Sequence, residues 1–395
     1  MYLSSEQERM LGGEMGTATQ RLFRLLVRLG DVYGADRMIP VGSVQISGVS
    51  YKSIGDPGLE FLEDFAAKGA RAKVLSYLNP TGMDMCAWRE MGIPDDFAEK
   101  QMRIVEAFKT MGVITTATCT PYLAGNLPRF GEHVAWSESS AVSFANSVIG
   151  ARTNREGGPS ALAAAVCGVT PEYGLHLESN RQPQFVVEVE AEIRNTADFG
   201  ALGYRIGEIA QDKIPYIEGL RGAYTDQLKV LGAAMAASGA VALYHAAEIT
   251  PESRTVDPSG LERITITRKD IDEAYRSLNS ADEPDIVILG CPHASIREIF
   301  EIALKLEGIE IEKPLWICTS RCVKRMADEV GLTERIGAAG GRIVADTCMV
   351  VSPLEDIGYG CTGVNSAKAA HYLPSFCGQR VVFLDTDELI RRIAK

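Results

Sequence analysis

The stretch DIVILGCPHASIREIFEIALKL, residues 285–306, decides the fold. Asp285–Leu289 carries four successive apolar residues, three of them β-branched, and predicts a buried strand. Gly290 and Cys291 end it. Ser295–Leu306 then spaces Ile299, Ile302, Ala303 and Leu306 along one helical face. Leu315–Thr319 reads as the next strand, Arg321–Val330 as a helix, and Arg342–Ala345 as a third strand. Apolar strands alternating with amphipathic helices are the units of a parallel sheet covered on both faces.

Working outward, the same alternation fills the chain. Strands are expected at Arg37–Ile46, Ala72–Leu78, Gly112–Ala117 and Gln184–Glu190. Helices are expected at Ser5–Leu29, Gly58–Ala70, Asp95–Met111, Ser139–Gly150, Pro159–Val166, residues 226–247 and Asp270–Leu278. Helix Ser366–His371, strand Val381–Asp385 and helix Asp387–Ala394 close the chain. The expected class is α/β, in α/β/α layers with largely parallel sheets. Thr255–Ile266 reads as a connector. The polar stretch near 250–262, with Pro251 and Pro258, marks a candidate boundary between parts 1–255 and 256–395.

Of the 395 residues, 46% are hydrophobic and 23% charged, an ordinary globular balance. Forty basic residues against 52 acidic give a formal charge of −12. Such a chain has no general field for nucleic acid or an anionic membrane, so neither is an expected partner. An anionic ligand would need a local basic pocket. The longest apolar stretch, Val230–Tyr244, is broken at Ser238 and Gly239 and is shorter than the roughly 20 residues a bilayer requires. Charged residues within the first ten positions argue against a signal peptide, and a cytoplasmic location is expected. Nine cysteines, an odd number in a long chain, point to reduced thiols.

Three cysteines share one context: VITTATC ending at Cys119, DIVILGC ending at Cys291, and RIVADTC ending at Cys348. Each follows an apolar run, and parallel α/β sheets bind ligands just beyond the carboxyl ends of their strands. Thiols so far apart in sequence are not zinc-finger spacing. Three thiolates without a near fourth suit an iron–sulfur cluster with one open iron, a Lewis acid for a substrate hydroxyl. Free cysteines are also common as small buried hydrophobes, so spacing alone leaves both readings standing.

Other signals are weaker. Cys318 and Cys322 lack a third ligand at position 325, which is Arg. Gly358-Tyr-Gly-Cys-Thr-Gly363 matches G-x-G-x-x-G, but only ten residues follow Asp385, so a turn or substrate-lining loop is expected there instead. No HExxH, GxSxG or P-loop is present. Of the five histidines, His293 is the one placed near a candidate site, two residues after Cys291. Polar clusters that suit a small anion are Ser47-Gly48-Val49-Ser50, Asn79-Pro80, the helix start Trp136–Ser140 with Ser137 or Ser139 as its expected cap, the basic loop Arg152–Gly158, and Lys368.

The block TATCTPYLAGNLPRFGEHVAWSESSAVSFANSVIGARTNREGGPSALAAAVCG resembles the aconitase X family, as do GVSYKSIGDPGLEFLEDF, YLNPTGMD, GCPHAS, ADTCMVVSP and NSAKAAHYLPS. The resemblance spans nearly the whole chain, and the length matches the free-standing large-subunit form of that family. It implies an aconitase-like catalytic body and a [4Fe-4S] cluster held by Cys119, Cys291 and Cys348. Substrate contacts implied are Gly48, Val49, Ser50, Asn79, Pro80, Glu138, Ser139 and Lys368, with Glu138 the catalytic candidate. The activity implied is dehydration of (R)-5-phosphomevalonate, a phosphorylated hydroxy acid, to trans-anhydromevalonate 5-phosphate in an archaeal isoprenoid route. Within the family the alternative is dehydration of cis-3-hydroxy-L-proline; from another class, a cluster-free scaffold subunit. The swivelling domain that completes aconitase-type sites is expected on a separate small subunit, giving a heteromer, so the catalytic base is not expected in this chain.

Overall fold

Three parallel sheets carry the chain, and a computed structural model describes all 395 residues. The first sheet orders its strands Ile114–Ala117, Leu75–Leu78, Ser43–Ile46 and Ala135–Trp136. The second orders Arg263–Ile266, Phe185–Val189, Pro215–Glu218 and His245–Ala246. The third orders Arg342–Ala345, Leu315–Thr319, Ile286–Leu289, Cys361–Val364 and Arg380–Phe383. Every pairing within them is parallel. Ile286–Leu289 is buried along its whole length, as a strand covered on both faces requires. The expected α/β class and parallel layering are therefore the observed architecture. No helix is long and apolar enough to cross a membrane.

Several element expectations are corrected. The helix expected over Ser5–Leu29 is two helices, Ser5–Gly12 and Thr17–Tyr33. Gly13 and Gly16 take φ of 90° and 95°, a left-handed conformation that ends one helix and starts the next. The helix expected over 226–247 stops at Gly239, and His245–Ala246 becomes the edge strand of the second sheet. The connector expected at Thr255–Ile266 ends in the strand Arg263–Ile266. Helix Thr196–Ala210 and strand Pro215–Glu218 were not anticipated. The region 358–363 is not a loop throughout, because Cys361–Val364 lies inside the third sheet. A Cβ on Gly363 would stand 2.9 Å from Val287 Cγ2, so that strand crosses its neighbour closely only as glycine. The stretch 250–262 joins His245–Ala246 to Arg263–Ile266, two strands of one sheet.

Two polar joints fix the sheets against one another. Arg181, 1% exposed, pairs with Glu252 at 2.9 Å and bonds the carbonyls of Asn146, Ala151 and Leu175. This ties the 145–151 segment to the Pro251–Arg254 turn beside the second sheet. Between the first and third sheets, Thr81 and Thr347 form an isolated parallel bridge. The Thr81 N–H donates to Asp346 O at 2.8 Å, and the Cys348 N–H donates to Thr81 O at 2.9 Å. Asp84 accepts from the Ala345 N–H at 2.9 Å, and Arg321 bridges Asp84 and Asp346.

Removing one member of a buried ion pair strands the other charge, which costs about 3–5 kcal/mol. Arg181→Met should therefore lower the denaturant midpoint markedly, with a loss of about 3 kcal/mol or more. A loss under about 1 kcal/mol would show that Glu252 finds water or another partner.

Candidate active site

All three cysteine loops meet at the carboxyl ends of parallel strands. Cys119 follows Ile114–Ala117 of the first sheet; Cys291 and Cys348 follow Ile286–Leu289 and Arg342–Ala345 of the third. The three line one cavity of ≈ 240 Å³ together with Asn79, Pro80, Glu138, Ser139 and Lys368. Eight of the eleven candidate residues are thus brought together. Gly48, Val49 and Ser50 are not among that lining. Gly48 borders a second, apolar cavity of ≈ 160 Å³. Ser50 is tied to the Cys348 turn, its hydroxyl donating to Val351 O at 2.9 Å. The backbone N–H groups of Gly48, Val49 and Ser50 have no protein acceptor, although Val49 and Ser50 are each 1% exposed. Buried N–H groups are ordinarily paired, so this row is a place for an external acceptor.

His293 joins the loops. Its Nε2 lies 2.8 Å from Thr347 O, and its Nδ1 lies 3.0 Å from Thr118 Oγ1. A carbonyl only accepts, so Nε2 carries the proton and Nδ1 accepts from Thr118. The His293 backbone N–H donates to Cys119 Sγ at 3.2 Å. Burial pushes the imidazole pKa down to about 4, which keeps the ring neutral. The His293 carbonyl receives Lys229 Nζ at 3.2 Å, and Lys229 is itself held by Asp226 and Glu298. His293 was legible as near the site. Its role as the link between loops was not, because Thr118 and Thr347 lie 175 and 54 residues away.

Electrostatics set the site's chemistry. Burial raises the Cys119, Cys291 and Cys348 thiols, the last to about 12. Cys119 is raised further by Cys348, and Cys348 by Cys291, so the sulfurs feel one another. Lys368 favours the thiolate at all three. No group of three His, Cys, Asp or Glu side chains closes on a single metal ion. Three thiols facing one cavity instead suit a polynuclear cluster, whose separate irons each take one thiolate.

Glu138, not Ser137 or Ser139, caps helix Ser139–Phe144, accepting the Ala141 N–H at 2.8 Å. It also accepts from Ser139 Oγ at 3.2 Å, from Ser140 and from Lys368. Burial pushes its pKa up, but Lys368 and the hydroxyl donors more than offset this, and the net direction is down. Lys368 lies in the first turn of helix Ala367–Cys377, capped by Ser366, whose side chain accepts the Ala369 N–H. Burial opposes its charge, yet Glu138 and two thiols hold it above the ordinary lysine value. Glu138 and Lys368 are therefore a carboxylate and an ammonium.

Profiles of the aconitase X first, second and third domains match residues 1–179, 183–276 and 284–395. The phosphomevalonate dehydratase large subunits of Methanocaldococcus jannaschii and Methanothermobacter thermautotrophicus are each 54% identical over 99% of this chain, and 100% and 98% of theirs. The cis-3-hydroxy-L-proline dehydratase of Pseudomonas aeruginosa is 35% identical over 96% of this chain and 68% of its own length. A crystal structure of Thermococcus kodakaraensis aconitase X in its holo-form covers 100% of both chains with a TM-score of 0.94 and 47% identity.

His293→Ala removes both links between the loops. Each lost hydrogen bond is worth about 1 kcal/mol and two are lost, so amide exchange should quicken by roughly thirtyfold in residues 117–120, 290–295 and 345–349 together. Strand Phe185–Val189 should keep its wild-type exchange. Faster exchange in one loop alone would show that the loops are held independently.

Proposed function

The chain belongs to the aconitase X family and is a carbon–oxygen lyase of the dehydratase kind, and on that premise we propose that it dehydrates (R)-5-phosphomevalonate to trans-anhydromevalonate 5-phosphate as the large subunit of a heteromeric enzyme. The observation that carries this reading is full-length identity of 54% to two phosphomevalonate dehydratase large subunits, against 35% to a hydroxyproline dehydratase of which this chain covers 68%. The scaffold alternative gives way, because the full-length relatives are dehydratases.

The donor set fits a [4Fe-4S] cluster: three thiols lining one cavity, Cys119 buried and Cys291 and Cys348 partly so, with Lys368 easing their ionisation. Cys119, Cys291 and Cys348 would hold it. When bound, it supplies a Lewis acid for the departing tertiary hydroxyl.

The chain's own residues do the rest. The proton leaves C2, its electron pair forms the C2–C3 double bond, and the C3–O bond breaks to release water. Glu138 meets the substrate as a carboxylate, so it accepts a bond from the hydroxyl; Lys368 and Ser139 fix its position. Asn79 and Pro80 shape the wall opposite, and the N–H groups of Gly48–Ser50 face an anionic end of the substrate. The C2 proton needs another acceptor. Glu138 is held ionised by Lys368 with its pKa lowered, which makes it a weak base; both His293 ring nitrogens are bonded, and Lys368 is charged. This supports a base on the small subunit, the partner implied by the relatives' name.

The direct test is anaerobic turnover by the large chain co-expressed with its small subunit. Phosphomevalonate should be consumed and cis-3-hydroxy-L-proline left intact. Consumption of the proline alone would overturn the assignment.

Each of Cys119→Ser, Cys291→Ser and Cys348→Ser should lose the cluster's visible absorption and the activity, since a hard hydroxyl replaces a soft thiolate poorly. Cys318→Ser and Cys322→Ser should keep both. Full iron in two of the first three variants would refute the ligand set. Glu138→Gln should keep its iron and lose on the order of 10²-fold in kcat. A change of only a few-fold would reduce Glu138 to a helix cap.

A further inference from the structure

Arg155 stands in the basic loop between the helical segment Ala145–Ile149 and helix Gly158–Cys167. Its side chain is exposed and makes no ion pair, unlike Arg152 and Arg181 of the same region. The backbone on each side is fixed. Asn154 donates to Tyr173 O at 3.0 Å and accepts the Leu175 N–H at 2.8 Å. Glu156 is buried, bonded by Ser160 and Thr170, and its N–H donates to Trp136 O at 2.9 Å. Three residues on, a Cβ at Gly158 would stand 2.7 Å from Ser47 O, so this loop lies against the start of the Gly48–Ser50 row. Arg155 is thus held at the carboxyl edge of the first sheet, next to Glu156, whose N–H bonds the last residue of the strand that leads to Glu138, and three residues before the glycine packed on Ser47.

The charges that Arg155 feels are Glu138 and Tyr372, both lining the cysteine cavity. Crowding by protein pulls its pKa down, and these two groups counter that. Glu138 is already matched by Lys368. Arg155 is therefore a cation without an ion-pair partner whose charged neighbours line the cavity, in a protein whose formal charge is −12. A guanidinium without a counter-ion is free to pair with an incoming anion, and its planar fork matches a phosphate oxygen pair.

We propose that Arg155, together with the Gly48–Ser50 N–H row, is the anchor for the phosphate monoester of the substrate and the residue that selects phosphorylated hydroxy acids. The reading rests on the dehydration proposed above. The substrate's own geometry assigns the end. Its carboxylate lies two bonds from the carbon that loses hydroxyl and must sit deep, near the cysteines. Its phosphorus lies four bonds away and reaches the exposed Arg155.

The test uses the anaerobically prepared complex of both subunits, wild type, Arg155→Gln and Arg155→Lys. For Arg155→Gln, KM for phosphomevalonate should rise roughly 10- to 100-fold, the range for a charge-assisted pair, with a smaller change in kcat. Affinity for unphosphorylated mevalonate should stay within about twofold, since it lacks the group Arg155 binds. Arg155→Lys should recover part of the loss. An unchanged KM, or equal losses for both ligands, would overturn the assignment. Inorganic phosphate binding, followed by calorimetry, separates the two readings. If the wild type does not turn over phosphomevalonate yet binds phosphate in a way Arg155→Gln loses, the anchor stands and the substrate reading fails. Equal phosphate binding by both proteins refutes the anchor.

Discussion

The neutral imidazole of His293, fixed between Thr118 and Thr347, is the constraint on which the site depends. Cys119 comes from one sheet, and Cys291 and Cys348 from two strands of another. Strand ends alone bring thiols to one side of a molecule; they do not set their spacing. The ring does so because each nitrogen has one partner, and each partner belongs to a different loop. Beneath it, the Thr81–Thr347 bridge and the Asp84–Arg321–Asp346 group clamp the first sheet to the third. Burial keeps the ring uncharged, so the link does not compete with the cations nearby.

Both signs of charge meet at the cavity. Three thiols line it together with the ion pair of Lys368 and Glu138, and Arg155 adds the nearest unpaired positive charge felt by Glu138. Lys368 serves two neighbours at once, holding Glu138 ionised while favouring thiolates at all three cysteines. A substrate anionic at both ends and hydroxylated in the middle matches that set. On the proposed reading, local cations draw the anion against the −12 formal charge of the whole chain.

Much of this was legible in the sequence, for physical reasons. Buried parallel strands read as unbroken apolar runs, so Ile286–Leu289 and Leu315–Thr319 were plain, and with them the positions of the cysteines that follow. Cys361–Val364 was hidden, because a close-packed strand built on Gly363 looks like a turn. Arg263–Ile266 was hidden in polar sequence, being an edge strand of its sheet. The break at Gly13–Gly16 was written in glycine but masked by helical periodicity on both sides. The ion pair between Glu138 and Lys368 spans 230 residues and leaves no local signal, nor does the knot around His293. Arg155 was visible only as part of a basic loop; what distinguishes it is the absence of a partner, which only the fold reveals.

In the proposed site, three strand-end thiols hold one cluster and leave its fourth iron for substrate. Mössbauer spectroscopy of the anaerobically purified, ⁵⁷Fe-enriched complex tests it directly. The account predicts one iron subsite whose signal shifts when phosphomevalonate is added, with the other three unchanged. Four equivalent irons indifferent to substrate, or a fully active enzyme without iron, would contradict it.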